Sequence, residues 1–247
     1  MQQIAVISDI HGNAPALEAV LNEIERRGIN RIICLGDIIG KGPSSDIVID
    51  MCKEKCERAV RGNHEELILS DEVYGSEIFV QMKAWHRNKI GKERIEYLKT
   101  LENSVDLKVG ITNIRLFHAS QIGACYRVHR YDNREKHLAM FDNTDFTGYE
   151  CEPSIVGYGD IHSSYIENFG SKVLFNTGSV GNPLGGDTRA SFAVITGDDN
   201  SGPGKLPKIE IVKIEYDKDR AIEDAENSDL LEMDLYINEL KTGKYRR

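Results

Sequence analysis

The sequence predicts an α/β fold, and three observations carry that expectation. Between Ile4 and Arg61, short apolar runs alternate with stretches of helical periodicity. Each apolar run stops at a turn that bears Gly, Asp or Asn. Beyond Val105 the chain becomes richer in strand patterns and hairpin turns than in helices.

Ile4-Ala5-Val6-Ile7 is an apolar run of the buried-strand type. Asn13 reads as a helix cap, with Pro15 in the first turn, Leu17, Val20, Leu21 and Ile24 at helical spacing, and Gly28 at the stop. Arg31 to Leu35 is a second strand, Ser45 to Cys56 a second helix and Arg58 to Arg61 a third, short strand. Such alternation implies right-handed crossovers and a parallel sheet. Residues 65 to about 103 read as a helical insertion with a charged end from Lys92 to Lys99. Val105 to Val109 and Ile114 to Phe117 are strands, and Ser120 to Glu152 is an irregular, cap-like segment with a short helix reaching Met140. Strands follow at Ser154 to Tyr158, in a hairpin from Tyr165 to Phe175 turning at Gly170-Ser171, and at Phe192 to Thr196 and Ile209 to Ile214. Asp199 to Pro207 is a turn-rich loop, and a helical tail, about 217–247, ends in a basic run from Lys244 to Arg247 that is expected to be disordered. No internal repeat or low-complexity linker interrupts the chain, so one domain spanning 1–247 is expected.

Hydrophobic residues make up 40% and charged residues 29%, a globular rather than a disordered balance. The net charge of −9 argues against a broad nucleic-acid footprint or an anionic membrane as partner. An acidic chain that handles an anionic substrate needs local positive charge, which bound metal ions supply. No apolar run reaches the roughly 18 residues of a membrane span. The N-terminus enters a strand pattern without the features of a signal peptide, so a cytoplasmic location is expected. Cysteines at 34, 52, 56, 125 and 151 form no second pair at zinc-ligand spacing and read as reduced thiols.

Five motifs carry the chemistry: Asp9-Ile10-His11, Gly36-Asp37, Gly62-Asn63-His64-Glu65, His118, and Gly159-Asp160-Ile161-His162. Each stands at a predicted strand end, the edge where α/β sheets present reactive groups. Asp9 and His11, two apart, can point to one side and offer a metal an oxygen and a nitrogen. Asp160 and His162 repeat that spacing. Asp37 has two oxygens with which to bridge two ions. Asn63 offers a carbonyl ligand, caps the helix starting at Glu65, or does both. His64 beside it can stand close to a phosphate without binding metal. Singly, each motif has a structural alternative, a cap for the carboxylates and a packed imidazole for His11 or His118. Their joint occurrence at strand edges outweighs those alternatives.

This ordered series resembles the calcineurin-like metallophosphoesterase superfamily, whose pattern is DxH, GD, GNH[E/D], H and GHxH, over roughly Ile4 to Ser191. Asn176-Thr177-Gly178-Ser179-Val180-Gly181-Asn182-Pro183, with Arg189-Ala190-Ser191 downstream, resembles the N-P-G-S-x-G turn of small bacterial and archaeal members, with Thr177 in place of proline. The resemblance implies a four-layer α/β/β/α sandwich with a helical insertion. It also implies two divalent ions, Mn²⁺ foremost and Fe, Mg²⁺ or Zn²⁺ as alternatives. Asp9, His11, Asp37 and His162 would hold the first; Asp37 would bridge to the second, completed by Asn63, His118 and position 160. Asp37, Asn63 and His64 would carry catalysis, a metal-bridged hydroxide attacking phosphorus while His64 acts as acid at the leaving group. Asp160 departs from the pattern, which has His there. A third carboxylate lowers the positive charge of the site, favours Mn²⁺, Mg²⁺ or Fe²⁺ over Zn²⁺ and makes the bridging water less acidic. Slower or more manganese-dependent turnover is expected from it.

Arg127 and Arg130, in a stretch with His129, Tyr131 and Arg134 that is expected to overhang the site, are candidate substrate contacts, as is Arg189. They suit a distal phosphate or a stacked base; the alternative is a solvated loop. The expected function is hydrolysis of phosphate esters, as a phosphodiesterase or phosphatase, on a small phosphorylated or nucleotide-like substrate. Hydrolysis of dinucleoside polyphosphates and protein dephosphorylation are the alternatives of the same class. A weakly active metal-binding scaffold is the alternative of another class.

Overall fold

In a computed structural model, residues 1–72, 76–198 and 205–245 are described. The first half runs β1 (Gln2–Ile7), α1 (Ala14–Arg26), β2 (Ile32–Cys34), α2 (Ser45–Lys55), β3 (Arg58–Ala59), α3 (Asn63–Leu69) and α4 (Glu77–Lys99). Next come β4 (Ser104–Val109), β5 (Thr112–Phe117), α5 (Arg134–Ala139), β6 (Ile155–Tyr158), β7 (Tyr165–Asn168) and β8 (Val173–Asn176). The chain continues through β9 (Ala190–Gly197), β10 (Lys208–Ile214), α6 (Lys218–Glu226) and α7 (Met233–Thr242).

These strands form two five-stranded sheets, ordered β10-β9-β1-β2-β3 and β4-β5-β6-β8-β7. In the first, β1, β2 and β3 are parallel and β9 pairs antiparallel with β1. In the second, β5, β6 and β8 are parallel, with β4 and β7 added as antiparallel edge strands.

Side-chain alternation along the strands explains the layers. From β1, Ile4 and Val6 point at the second sheet, where Ile114, Leu116, Ile155 and Phe175 meet them. Ala5 and Ile7 point the other way, onto Leu17, Val20 and Ile24 of α1 and Val48 and Ile49 of α2, with Leu98 of α4 and Leu240 of α7 in the same cluster. A strand buried on both faces has to be apolar throughout, which is why Ile4 to Ile7 carries no polar residue. On the far face of the second sheet, Phe117, Val156, Tyr158 and Leu174 pack against Val128, Met140 and Phe141. The expected sandwich is therefore present, with a difference in its fourth layer. That layer is the segment from Ser120 to Glu152, in which α5 is the sole helix and spans six residues. Its apolar residues cover the sheet; only its early part reaches the site.

Asn13 caps α1 as expected, accepting from the Ala16 N–H at 3.2 Å, and Gly28 leaves the helix in the left-handed conformation with φ 70°. The expected insertion is two helices, and Gly91 (φ 75°, ψ 167°) breaks the second ahead of its charged end. Asn63 is not a cap: Gly62 holds that position and Asn63 is already helical. The five cysteines are unpaired. Among the described residues no helix is long and apolar enough to cross a membrane. Of the expected loop from Asp199 to Pro207, residues 199–204 lie outside the described residues, as do 246–247 of the basic run.

Gly157 of β6 makes room for its neighbours in the second sheet, Leu116 of β5 and Phe175 of β8: a Cβ there would overlap the Phe175 ring and meet Leu116 Cδ2 at 2.7 Å. Gly157→Val should therefore lose about 1–3 kcal/mol of stability through overpacking, read as a lower denaturant midpoint with unchanged slope.

Candidate metal centre

Every motif residue lies just past a strand: Asp9 and His11 after β1, Asp37 after β2, Asn63 and His64 after β3, His118 after β5, Asp160 and His162 after β6. Because the sheets face each other, their carboxyl edges meet over one site. The turns that achieve this are strained. Seven non-glycine residues among those described have positive φ, and five are Asp9 (55°), His11 (50°), Asp37 (49°), Asp160 (62°) and His162 (55°). Such conformations cost about 1–3 kcal/mol each and persist where surrounding structure enforces them.

The enforcement is visible at Glu65, which is fully buried. Its Oε2 accepts from the Asp37 and Gly62 N–H groups, both at 2.8 Å. Its Oε1 accepts from Ile38 at 2.9 Å and Ile39 at 3.2 Å. The loops after β2 and β3 are thereby tied to one carboxylate.

Three buried imidazoles are set by one device. His11 Nδ1 lies 3.2 Å from the Ile39 carbonyl and His118 Nδ1 2.7 Å from that of Leu35, and His162 Nδ1 meets that of Asn182. A carbonyl can only accept, so each Nδ1 carries a proton and each Nε2 is turned into the site, a lone pair whenever the ring is neutral. Those lone pairs converge. His11 Nε2 and His162 Nε2 are 3.0 Å apart, and His118 Nε2 is 3.0 Å from Asn63 Oδ1. Asp9 Oδ1 is buried without a hydrogen-bond partner, 3.3 Å from His162 Nε2 and 3.8 Å from His11 Nε2. Asp37 spans the site, Oδ2 lying 3.6 Å from His11 Nε2 and Oδ1 3.5 Å from His118 Nε2.

Lone pairs facing lone pairs in a buried site repel unless a cation lies among them, so this donor set fits divalent metal. Ligand atoms within 4.8 Å of one another form three groups: Asp9, His11 and His162; His11, Asp37 and His64; Asp9, Asp37 and His118. Titration behaviour agrees. Burial, with the neighbouring His64, His162 and Lys41, pushes His11 well down. Burial and the Lys41 charge push His64 down to about 3. Burial opposes protonation of His118 too, yet Asp37, Asp9 and Asp160 outweigh it and raise His118 to about 9. Burial, with Glu65 and Asp9 adding repulsion, pushes Asp37 well up.

Asp160 and Arg127, expected separately as a metal ligand and a substrate contact, are partners. Arg127 Nε donates to Asp160 Oδ2 and Nη2 to Oδ1, both at 2.7 Å. Asp160 still reaches the site, with Oδ1 3.9 Å from His118 Nε2. Arg130 lies over the Tyr165 ring at 5.7 Å, and Arg189 is forked onto Asp187 at 2.8 and 3.0 Å. Both line a recess that adjoins the metal groups through His162 and Leu184. Nothing places them against the ligand atoms.

Residues 2–200 match the sequence profile of the calcineurin-like phosphoesterase superfamily domain. The chain belongs to that superfamily. It is 30% identical over 227 residues to an uncharacterised protein of Methanocaldococcus jannaschii, covering 89% of this chain and 90% of the other. In fold it is similar to a hypothetical protein of Pyrococcus horikoshii (TM-score 0.79, 21% identity, all of both chains). A metallophosphoesterase of Sphaerobacter thermophilus is similar as well (TM-score 0.75, 22% identity, 98% and 99% covered). As a calcineurin-like phosphoesterase the chain is assigned metal-dependent hydrolysis of phosphoesters, and the groups above are its candidate divalent-ion ligands.

Sequence reasoning missed two residues of this phosphoesterase's cleft. Lys41 donates to Asn182 Oδ1 at 2.7 Å and Glu239 Oε2 at 2.9 Å and lies 5.5 Å from the Tyr245 ring. Lys41 and Tyr245 line the metal cleft, a space of about 490 Å³, with His64, Arg127, His129 and Tyr131. Tyr245 fell in a tail expected to be disordered. The available signal was Tyr236 and Leu240, buried one turn apart on α7, after which the Gly243 carbonyl accepts from Gly185 (2.7 Å) and Gly186 (3.0 Å).

His118, raised from 6.5 to about 9, contributes stability in full below about pH 6.5 and loses it as pH rises through about 9. The unfolding midpoint of the chelator-stripped protein should fall across that window. His118→Gln should flatten the fall, and so should a saturating divalent ion, which takes the proton's place.

Proposed function

We propose that this phosphoesterase hydrolyses phosphate monoesters or diesters of small, nucleotide-like substrates with two divalent ions, Mn²⁺ foremost. The convergence of the His11 and His162 Nε2 atoms on the unpartnered Asp9 Oδ1, with His118 Nε2 facing Asp37 Oδ1 beside them, is the observation that carries this reading. When bound, the ions neutralise phosphoryl oxygens and make a water nucleophilic near neutral pH. Asp9, His11 and His162 would hold one ion, Asn63 and His118 the other, and Asp37 would serve both.

His64 is the residue for the leaving group, and its environment sharpens its role. Its ring sits in the cleft mouth beside Gly40, whose left-handed backbone (φ 87°) leaves the space; a Cβ there would overlap His64 Nδ1. An imidazole pushed down to about 3 is neutral at pH 7, so His64 stabilises the departing oxygen as a hydrogen-bond donor.

At the rim His129 and Tyr131 stack with centroids 4.9 Å apart and planes 8° from parallel, and Tyr131 is 82% exposed. That pair offers a platform for a planar base. A second reading, a dinucleoside polyphosphate as substrate, is favoured by the adjoining recess, where Arg130, Arg189 and Lys213 share the lining with a single carboxylate, Asp187, with which Arg189 and Lys213 pair. A further phosphate would find its charge balanced there.

Turnover of bis(p-nitrophenyl) phosphate and p-nitrophenyl phosphate should appear with Mn²⁺, exceed that with Zn²⁺ and vanish with chelator. A metal-loaded protein that turns over neither ester with any divalent ion would favour the scaffold reading. His64→Ala should keep its metal and lose about 100- to 1000-fold in kcat. Loss of metal in that variant would instead make His64 a ligand.

A further inference from the structure

Asp160 is where the chain departs from its superfamily's pattern, and the fold supplies a compensating charge. Both Asp160 oxygens are engaged by Arg127 in a bidentate fork, at 2.7 Å each. Asp160 is 4% exposed, whereas the Arg127 side chain is half exposed at the cleft rim. The Arg127 main chain is held firmly. Lys136 Nζ donates to its carbonyl at 3.1 Å, and Tyr158 Oη donates to the next carbonyl, Val128, at 2.9 Å. Among the described residues, Asp160 belongs to none of the three groups whose ligand atoms converge within 4.8 Å. Its Oδ1 nonetheless stands 3.9 Å from His118 Nε2, beside the group of Asp9, Asp37 and His118.

We infer that Arg127 makes the ion position at His118 weak and exchangeable, while the Asp9, His11 and His162 group holds its ion tightly. This rests on the metal reading proposed above. A cation at the His118 position can use Asp160 only by sharing its oxygens with the guanidinium or by displacing it. Either way a fixed positive charge stands close to the incoming ion, in a site where water screens little. The guanidinium does not titrate, so the opposition is present at every working pH. The Asp9, His11 and His162 group has no cation bound to its own ligand atoms: Arg127 is forked onto Asp160, and the charge of Lys41, though felt at His11, is offset by its ion pair with Glu239. Sequence departure and ion pair thus form one device that makes the two positions unequal.

The test is metal binding rather than activity. The full chain, stripped with chelator, is titrated calorimetrically with Mn²⁺, and retained metal is counted after dialysis. The native chain should keep one ion and bind a second at least about tenfold more weakly. Arg127→Met should tighten the second ion about tenfold or more and leave the first unchanged, a shift of roughly 1.4 kcal/mol. Arg127→Lys, which keeps the charge without the fork, should stay close to the native chain. Unfolding midpoints of the stripped proteins check folding, and Arg127→Gln gives the same readout should the methionine variant not fold. Two ions of equal affinity in the native chain, or an unchanged second ion in Arg127→Met, would overturn the inference and leave the metal reading standing. A chain that binds no divalent ion would overturn both.

Discussion

One buried carboxylate organises the site. Glu65 gathers four backbone amides, those of Asp37, Ile38, Ile39 and Gly62, onto two oxygens. Loops at the ends of parallel strands have no ladder partner for such groups, and burying them unpaired is costly. By satisfying them, Glu65 fixes the carbonyl of Ile39, which orients His11, and the backbone of Asp37, which spans the two halves of the site. The approach it demands is close enough that a Cβ at Gly36 would meet the Gly62 Cα at 2.8 Å. Glycine at position 36 is therefore a consequence of this carboxylate.

Around that anchor the chain accumulates what folding by itself disfavours: left-handed backbone at five ligand positions, facing lone pairs and an unpartnered carboxylate oxygen. Each is a local cost; a bound cation would relieve the facing lone pairs and the unpartnered oxygen, and its binding energy would offset the backbone strain. Stability and function are opposed at this edge of the sheets and cooperative elsewhere. The core between the sheets follows ordinary strand alternation and shows no such compromise.

The sequence disclosed the elements whose causes are local. Asn13, Pro15 and Gly28 bound α1 by rules that act within a few residues, and the ligand motifs lie on strand ends that apolar runs reveal. What it concealed depends on contacts between distant segments. Asp160 and Arg127 are 33 residues apart and meet only because the outer segment folds across the second sheet, so Arg127 read as a free contact. Asn63 looked like a cap, because nothing local says that Gly62 takes that position. Lys41 and Tyr245 carry no pattern at all; their roles exist only once α7 docks. The turn after β8 lies between these cases. Ser179 Oγ donates to the Asp9 carbonyl at 2.7 Å, and Asn182 anchors His162, so a recognisable motif braces ligands from both sheets.

The position of β1 in its sheet sets the order in which this molecule can be completed. It leads the chain, yet it lies between β2 and β9, so one of its edges is closed by residues 193–197. During synthesis that edge stands bare until residues 193–197 are made, and an open apolar strand edge invites the wrong partner. The loop that carries Asp9 gains its last braces, from Ser179, Val180 and Gly181, over the same interval. The candidate metal centre is therefore completed late, because the Ser179 that braces Asp9 follows it by 170 residues.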